Sequence, residues 1–515
     1  MNYSLKTVIL TSLISSSFVF SQTKDAVIEN IMNESFKHSQ LENLAFSLTD
    51  SIGSRLVGSP KMQQAHNWAV SKFKNWGIEA KNEQWGTWKS WERGTSSVEM
   101  VYPQVKSLEG MQLAWSPSTK KGGITAEVIM MPEFKSKEDF EKWLPNVKGK
   151  LVMVSQYQWT GRPDYNWKEY ATPELYEKYK KESEKANSQW NNSLKTIGLS
   201  WRTLNKPFEK AGAAGIVWSN WSHGFGVNKI FFAGTEKIPA VNISLEDYGQ
   251  LYRMLQHGIT PKLKIIANSK DLGMAPTFNT IATIKGSEKP NEYVILSAHF
   301  DSWDGGTGAT DNGTGTITMM EVARILKKYY PNPKRTIVIG LWGSEEQGLN
   351  GSRAYVSDHK DQLPKIQAVF NQDNGTGRVV NISGQGFVNS YHYIGKWLSA
   401  VPQSIRKEIT TNFPGFPGGG GSDHASFVAA GVPAFSLSSN SWSYGTYTWH
   451  TNRDTYDKIV FDEVKNNVAL TAILTYMACE DPEKTSAEKI IMPVNFQTGK
   501  SANWPEVKEP IRKGE

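Results

Sequence analysis

Short runs of β-branched and aromatic residues recur along the second half of the chain, at residues 293–298, 336–342, 366–370 and 433–437. Between them the apolar positions fall at helical spacing, as in residues 316–329, where Ile317, Met320, Ala323 and Leu326 share one face. Strands alternating with helices predict an α/β layer fold with a mostly parallel sheet. The strand runs are apolar at nearly every position, which fits strands covered on both faces. Helical spacing also opens the chain, over residues 27–48 and again over 61–76, with a polar, glycine-containing connection between.

The pattern is more broken in the middle. Residues 126–131 and 151–155 are short β-like runs, residues 211–217 turn from small residues into a strand, and 238–243 precede an amphipathic helix through Tyr248 and Leu255. No cluster of metal-ligating residues occurs there. Residues 116–270 therefore read as a smaller accessory domain inserted between two parts of a catalytic one, residues 22–115 and 271–515. A chain of 515 residues exceeds one ordinary core, so a second unit is expected.

Residues 1–21 are predicted to be a signal peptide, with Lys6 as a weak positive start, an apolar run at 8–20 and a cleavage pattern at 19–21. The remainder of the chain contains no stretch long enough to span a bilayer, so the expectation is a secreted or periplasmic chain with no stable membrane span. Its only cysteine, Cys479, excludes an internal disulfide and a thiolate zinc site. Cys479 sits in the apolar helical pattern around residues 470–477 and is expected to be a buried structural thiol. The net charge of +7 is spread without a basic run, which argues against nucleic acid as a partner.

The candidate chemistry lies where strands end. The run 293–298 leads into His299-Phe300-Asp301, the run 336–342 into Ser344-Glu345-Glu346, and the run 366–370 into Asp373. Open α/β sheets bind ligands beyond the carboxyl ends of their strands. Ligand-type residues at three such ends, with Asp311 and His450 also available, point to a metal centre. Imidazole and carboxylate donors suit Zn²⁺, and Mn²⁺ or Co²⁺ also fit. No His-Glu-x-x-His occurs, which excludes the helical one-zinc motif. Five ligands with one shared carboxylate serve two ions better than one.

The segments 299–304 (HFDSWD), 309–313 (ATDNG), 341–348 (LWGSEEQG), 371–375 (NQDNG), 422–427 (SDHASF) and 449–451 (WHT) resemble the co-catalytic zinc aminopeptidase and carboxypeptidase Q family. The middle region resembles the protease-associated domain that many such peptidases carry. The resemblance implies a three-layer zinc-exopeptidase fold with a mostly parallel mixed sheet, plus a β-rich protease-associated insertion. It also implies hydrolysis of short peptides, with a homodimer left open.

By that resemblance Asp311 bridges two zinc ions, His299 and Asp373 complete one, and Glu346 and His450 the other. Glu345 becomes the general base, and Asp301 orients His299 through its far nitrogen. The family also holds the peptide after the bridging aspartate in the cis form. Asp423, His424 and Tyr447 are candidate substrate-binding residues, although a helix cap explains Ser422-Asp423 equally well. Trp449 stands where some relatives place a tyrosine, which leaves His424, Tyr447 and zinc as candidates to steady the oxyanion. The alternatives are a glutaminyl cyclase-like acyltransferase, a non-catalytic receptor-like protein, and a two-metal amidase acting on peptidoglycan or sugars. Aminopeptidase, carboxypeptidase and dipeptidase action share this centre, and the residues alone do not choose among them.

Overall fold

The computed structural model describes residues 24–494, 499 and 501–514. The expected signal peptide lies outside the described residues. No helix among the described residues is long and apolar enough to cross a membrane.

The predicted strand runs form the centre of the sheet. Lys289–His299 pairs in parallel with Arg335–Trp342 on one side and Ile366–Asn371 on the other, and Ile366–Asn371 pairs in parallel with Ala434–Ser439. Arg335–Trp342 and Ile366–Asn371 are buried at every position. That accounts for their unbroken apolar runs, since both faces are covered. One face meets the helices Thr314–Tyr329 and Phe461–Glu480 in a core containing Leu296, Ile339, Phe370, Ile317 and Leu470. The other packs Trp342, Val369 and Ile295 against Tyr355 and Phe427, from the helices Asn350–Asp358 and His424–Ala429. The result is a helix–sheet–helix sandwich. Cys479 is buried within Phe461–Glu480.

Beyond Arg335–Trp342 runs a long two-stranded ribbon, Glu79–Tyr102 antiparallel to Lys262–Ile284. The end of Lys262–Ile284 pairs with Arg335–Trp342, whereas its start pairs with Ile124–Met130 of the middle region. The middle strands therefore extend the same hydrogen-bonded order outward from the ribbon and do not enter the end of the sheet formed by Lys289–His299, Ile366–Asn371 and Ala434–Ser439. They are parallel among themselves: Ile124–Met130, Leu151–Met153, Gly215–Trp218 and Ala240–Ile243. Parallel neighbours need crossovers, and the helices Lys137–Trp143, Pro173–Thr196 and Asn205–Lys210 lie between them. The middle region is thus a small α/β layer in its own right, with separate cores around Val152 and Phe208 and around Leu151 and Val241. Gly110–Gln112 pairs with Ala240–Ile243, and Val98, Met100 and Leu108 share the core of the middle strands. Structural continuity with the middle region therefore begins before residue 116.

Candidate metal centre

Two triads of ligand-type residues meet at one carboxylate: His299, Asp311 and Asp373, and Asp311, Glu346 and His450, each with donor atoms within 4.8 Å of one another. His299 Nε2 lies 3.4 Å from Asp311 Oδ1 and 3.3 Å from Asp373 Oδ1. His450 Nε2 lies 3.4 Å from Asp311 Oδ2 and 2.8 Å from Glu346 Oε2. Four of the five residues sit at or just beyond strand ends or the turn before a helix, where side chains converge without disturbing the buried sheet. His299 ends its strand, Glu346 and Asp373 come just after theirs, and Asp311 lies in the turn leading to Thr314–Tyr329.

The backbone around Asp311 is held by specific contacts. Asp454 accepts hydrogen bonds from the Thr310 and Asp311 amides at 2.8 and 2.9 Å. The Asp311–Asn312 peptide is cis. Asn312 donates to the Gln372 carbonyl at 2.9 Å and accepts from the Gly315 amide at 3.0 Å, tying the Asp311 turn to the strand end that leads to Asp373. Gly315 packs so closely there that a Cβ would stand 2.2 Å from Asn312 Oδ1 and 2.4 Å from the Gln372 carbonyl. Gly308 has φ +63°, and a Cβ there would meet Ser302 at 2.4 Å. His450 also adopts a left-handed φ, of 60°, uncommon for a non-glycine residue and frequent where a functional side chain must be aimed.

Asp301 behaves differently from the expectation. His299 Nδ1 lies 3.0 Å from the Asp301 carbonyl, while the Asp301 carboxylate is 3.7 Å away. That carboxylate instead accepts from the Glu345 and Glu346 amides at 3.0 and 3.2 Å. The imidazole is thus oriented by main chain, and the Asp301 side chain clamps the turn that carries Glu345 and Glu346. The reason is local: His299 and Asp301 are two residues apart, so the carbonyl reaches Nδ1 and leaves the carboxylate free to face the neighbouring strand end.

Arg55, inconspicuous in the sequence, supports the same region. It is fully buried, and its guanidinium donates to the carbonyls of Phe300 (2.6 Å), Gly53 (3.3 Å), Thr307 (2.9 Å) and Gly308 (2.9 Å). Burial lowers its pKa to about 10, against the pull of Asp454, Asp301, Asp311 and Glu346. A signal existed in the polar connection 51–60, but a single arginine in a loop gives no hint of burial. A second support is a buried polar chain. Trp342 Nε1 donates to Ser297 Oγ (2.8 Å), Ser297 to Asn371 (2.6 Å), and Asn371 to Ser422 (3.0 Å), linking three strands' ends to the 422–424 turn.

The candidate substrate-binding residues separate. Asp423 is buried and makes no capping hydrogen bond to the helix His424–Ala429, so its position is not explained by a cap. Burial raises it to about 7, with Asp373 and Asp301 adding to the rise. Burial lowers His424 to about 4, leaving a neutral imidazole. Tyr447 packs over Gly224 of the middle region and interacts with Tyr165. The tyrosine that faces the metal carboxylates is Tyr444, whose phenol is raised well above its usual range by burial and by Asp311, Asp373 and Glu346. Trp449 stacks on His450, with ring centroids 4.1 Å apart.

The cluster's electrostatics fit cations. Burial would raise Asp311, but His299 and His450 hold it below the ordinary carboxylate range. Burial raises Glu345 and Glu346 well above that range, and Asp373, Asp423 and Asp311 raise them further. Asp311 Oδ2 and Glu346 Oε1 are buried without a hydrogen-bond partner. Buried acidic oxygens aimed at a common point, with imidazoles beside them, are a donor set for divalent metal.

Residues 279–475 match the model of peptidase family M28. Every one of the five candidate ligands falls within the matched residues. Carboxypeptidase Q of Mus musculus is 26% identical over 472 residues, covering 90% of each chain, and that of Homo sapiens is 27% identical over 466 residues, covering 89% of each. A peptidase M28 precursor from Shewanella amazonensis shares the fold at a TM-score of 0.66, with 24% identity, over 90% of this chain and 99% of that one. A zinc aminopeptidase from Bacillus subtilis does so at 0.57, with 20% identity, over 88% and 98%. The chain is a metallopeptidase by these similarities, and its mixed α/β sheet matches the fold of the two solved structures.

Proposed function

We propose that this chain is a two-zinc exopeptidase of the M28 kind, acting on short peptides and exported after removal of residues 1–21. The observation that carries the reading is the pair of ligand triads sharing Asp311. His299, Asp311 and Asp373 would hold one ion, and Asp311, Glu346 and His450 the other. Two zinc ions bound there would supply carbonyl polarisation and a water of lowered pKa, about 7 in comparable sites.

The chain's own residues supply the rest. Glu345 is adjacent to a ligand and half-buried, and we assign it the proton transfer from water to the leaving amine. The Asp301 carboxylate fixes the backbone under Glu345 and Glu346, which sets the distance between base and ligand. Asp454 does the same for Asp311. Trp303 and Phe231 pack edge-on against the His450 ring and Trp449 stacks on it, which holds the imidazole in place. Residues 116–270 are assigned as a protease-associated domain beside the cleft. Full alignment with the carboxypeptidase Q relatives over about 90% of both chains supports carboxypeptidase or dipeptidase action over aminopeptidase action.

The test is metal analysis with a substrate panel. Purified chain should bind about two zinc ions, lose activity to chelator, and regain it with Zn²⁺. Dipeptides, N-blocked peptides, C-amidated peptides and N-terminal Gln peptides then separate the exopeptidase modes and the cyclase alternative. Full activity at one zinc per chain contradicts the two-metal reading.

A further inference from the structure

Residues 228–232 of the middle region lie alongside the loop that carries His450. The Ile230 amide donates to the His450 carbonyl at 2.8 Å, and the Asn452 amide donates to the Asn228 carbonyl at 3.0 Å. Lys229 faces Thr451 in an antiparallel bridge. The Lys229 side chain covers Trp449, with Nζ 3.8 Å from the indole centroid. The same indole stacks on the His450 imidazole, with centroids 4.1 Å apart and planes 30° from parallel. Ammonium, indole and imidazole are stacked at the rim of the metal cluster.

This cation has an unusual environment. Lys229 is half-buried, and among the described residues no carboxylate lies within 4.0 Å of its ammonium. It lies in the field of Asp311 without pairing with it. Half-buried ammonium groups ordinarily find an anion, because desolvation is costly. The indole face supports the charge but leaves the N–H donors unused. Such a group at the edge of a peptidase centre is suited to a ligand carboxylate.

An exopeptidase substrate always carries an ionised terminus near the bond to be cut. In a dipeptide, the α-carbon bearing the carboxylate is only one residue, about 3.8 Å, from the α-carbon on the other side of that bond. With Nζ 3.8 Å from the Trp449 centroid and that centroid 4.1 Å from the His450 ring, the ammonium stands within about 8 Å of the ligand imidazole, a span that a C-terminal residue with its carboxylate crosses. The geometry points to Lys229 as the group that binds the substrate's free α-carboxylate, making dipeptides and short peptides with a free C-terminus the favoured substrates. This rests on the exopeptidase reading above. It also gives the middle region a direct part in substrate selection, since Lys229 belongs to it.

The experiment compares a dipeptide with its C-terminal amide on full-length, zinc-loaded wild type, Lys229→Met and Lys229→Arg. Methionine keeps an unbranched stem over Trp449 and removes the charge. Wild type should favour the free acid by about 10–100-fold in kcat/KM, the worth of a charge-assisted hydrogen bond. In Lys229→Met that ratio should collapse toward one, chiefly through KM on the acid, with zinc content as in wild type. Lys229→Arg should restore part of it. Equal losses on acid and amide, or a wild type indifferent to the carboxylate, would overturn the inference. Collapse of the ratio in Arg353→Met but not in Lys229→Met would overturn it too, since Arg353 is a second cation near the centre, in the field of Asp423 and Glu345. A wild type that holds two zinc ions yet cleaves no peptide removes the exopeptidase reading itself, and this inference with it.

Discussion

Arg55→Met tests whether the metal centre depends on a cation that never touches it. The wild-type guanidinium makes four hydrogen bonds, all to backbone carbonyls, in three stretches of chain: Gly53, Phe300, and Thr307 with Gly308. Methionine fills similar length and donates nothing. The Gly308 carbonyl keeps the Gly313 amide at 3.0 Å, so three carbonyls are left without a donor; at about 1–3 kcal/mol each, the upper bound is about 3–9 kcal/mol. Two effects reduce that. Methionine no longer requires a buried charge, and burial is what pulls Arg55 down to about 10. Loop relaxation also lets water reach some carbonyls. A loss of about 3–5 kcal/mol is therefore expected, the usual result of breaking a buried charged network. The unfolding midpoint in urea, followed by tryptophan fluorescence and by circular dichroism, measures it on chelator-treated protein. Zinc titration then asks about the site. The bonded carbonyls flank Asp301 and precede Asp311, so affinity should fall with stability. Arg55→Lys, which keeps the charge but not the fork, should fall between. If Arg55→Met unfolds within about 1 kcal/mol of wild type and binds zinc unchanged, the bracing role is refuted.

Glu345→Gln should keep zinc and thermal stability near wild type while kcat falls about 10²–10⁴-fold, whereas Asp311→Ala should lose metal as well as rate; a Glu345→Gln enzyme with near-full activity would move the base to Asp301 or Asp423. Tyr444→Phe should lower kcat by about 10²-fold with zinc retained if its phenol, and not Tyr447, faces the developing oxyanion; steady-state kinetics on both variants decides. His66 is buried between Phe278 and Phe300, and burial lowers its pKa from 6.5 to about 3. The unfolded chain therefore binds the extra proton between those values, so stability falls as pH drops through that window. His66→Gln should lose about 2–3 kcal/mol less than wild type between pH 6.5 and 4.5 in urea unfolding, and parallel pH curves would refute the assignment.

The catalytic half is legible in the sequence because its signals are local. An unbroken apolar run marks a strand covered on both faces, and a carboxylate or histidine just beyond it marks a candidate ligand position. Lys289–His299, Arg335–Trp342 and Ile366–Asn371 obey that rule, as does Thr314–Tyr329 with its helical stripe. The longest elements leave no such trace. Glu79–Tyr102 and Lys262–Ile284 alternate between buried, half-buried and exposed positions and serve two adjoining sheets, so no single periodicity runs through them. Pro173–Thr196 buries only Tyr179, Ser193 and Leu194 along 24 residues, too few for an apolar face to appear in the sequence.

Tertiary structure alone decided what each polar residue does. The chain order brings Asp301 next to His299, yet its carboxylate reaches the 344–346 turn of the neighbouring strand. Tyr444 and Tyr447 are indistinguishable as sequence, and a short helical turn points one at Asp311 and the other at Gly224. Arg55 looks like an ordinary loop cation until Phe300, Thr307 and Gly308 close around it from some 250 residues away. Lys229 lies in a region with no catalytic signal and is brought to the rim of the cluster by the pairing of residues 228–230 with residues 450–452. Strand periodicity and ligand type are properties of neighbouring residues, so the sequence carries them directly. Hydrogen-bond partners and charge environments are set by segments distant in the chain, and they exist only once the ribbon has brought the two sheets together.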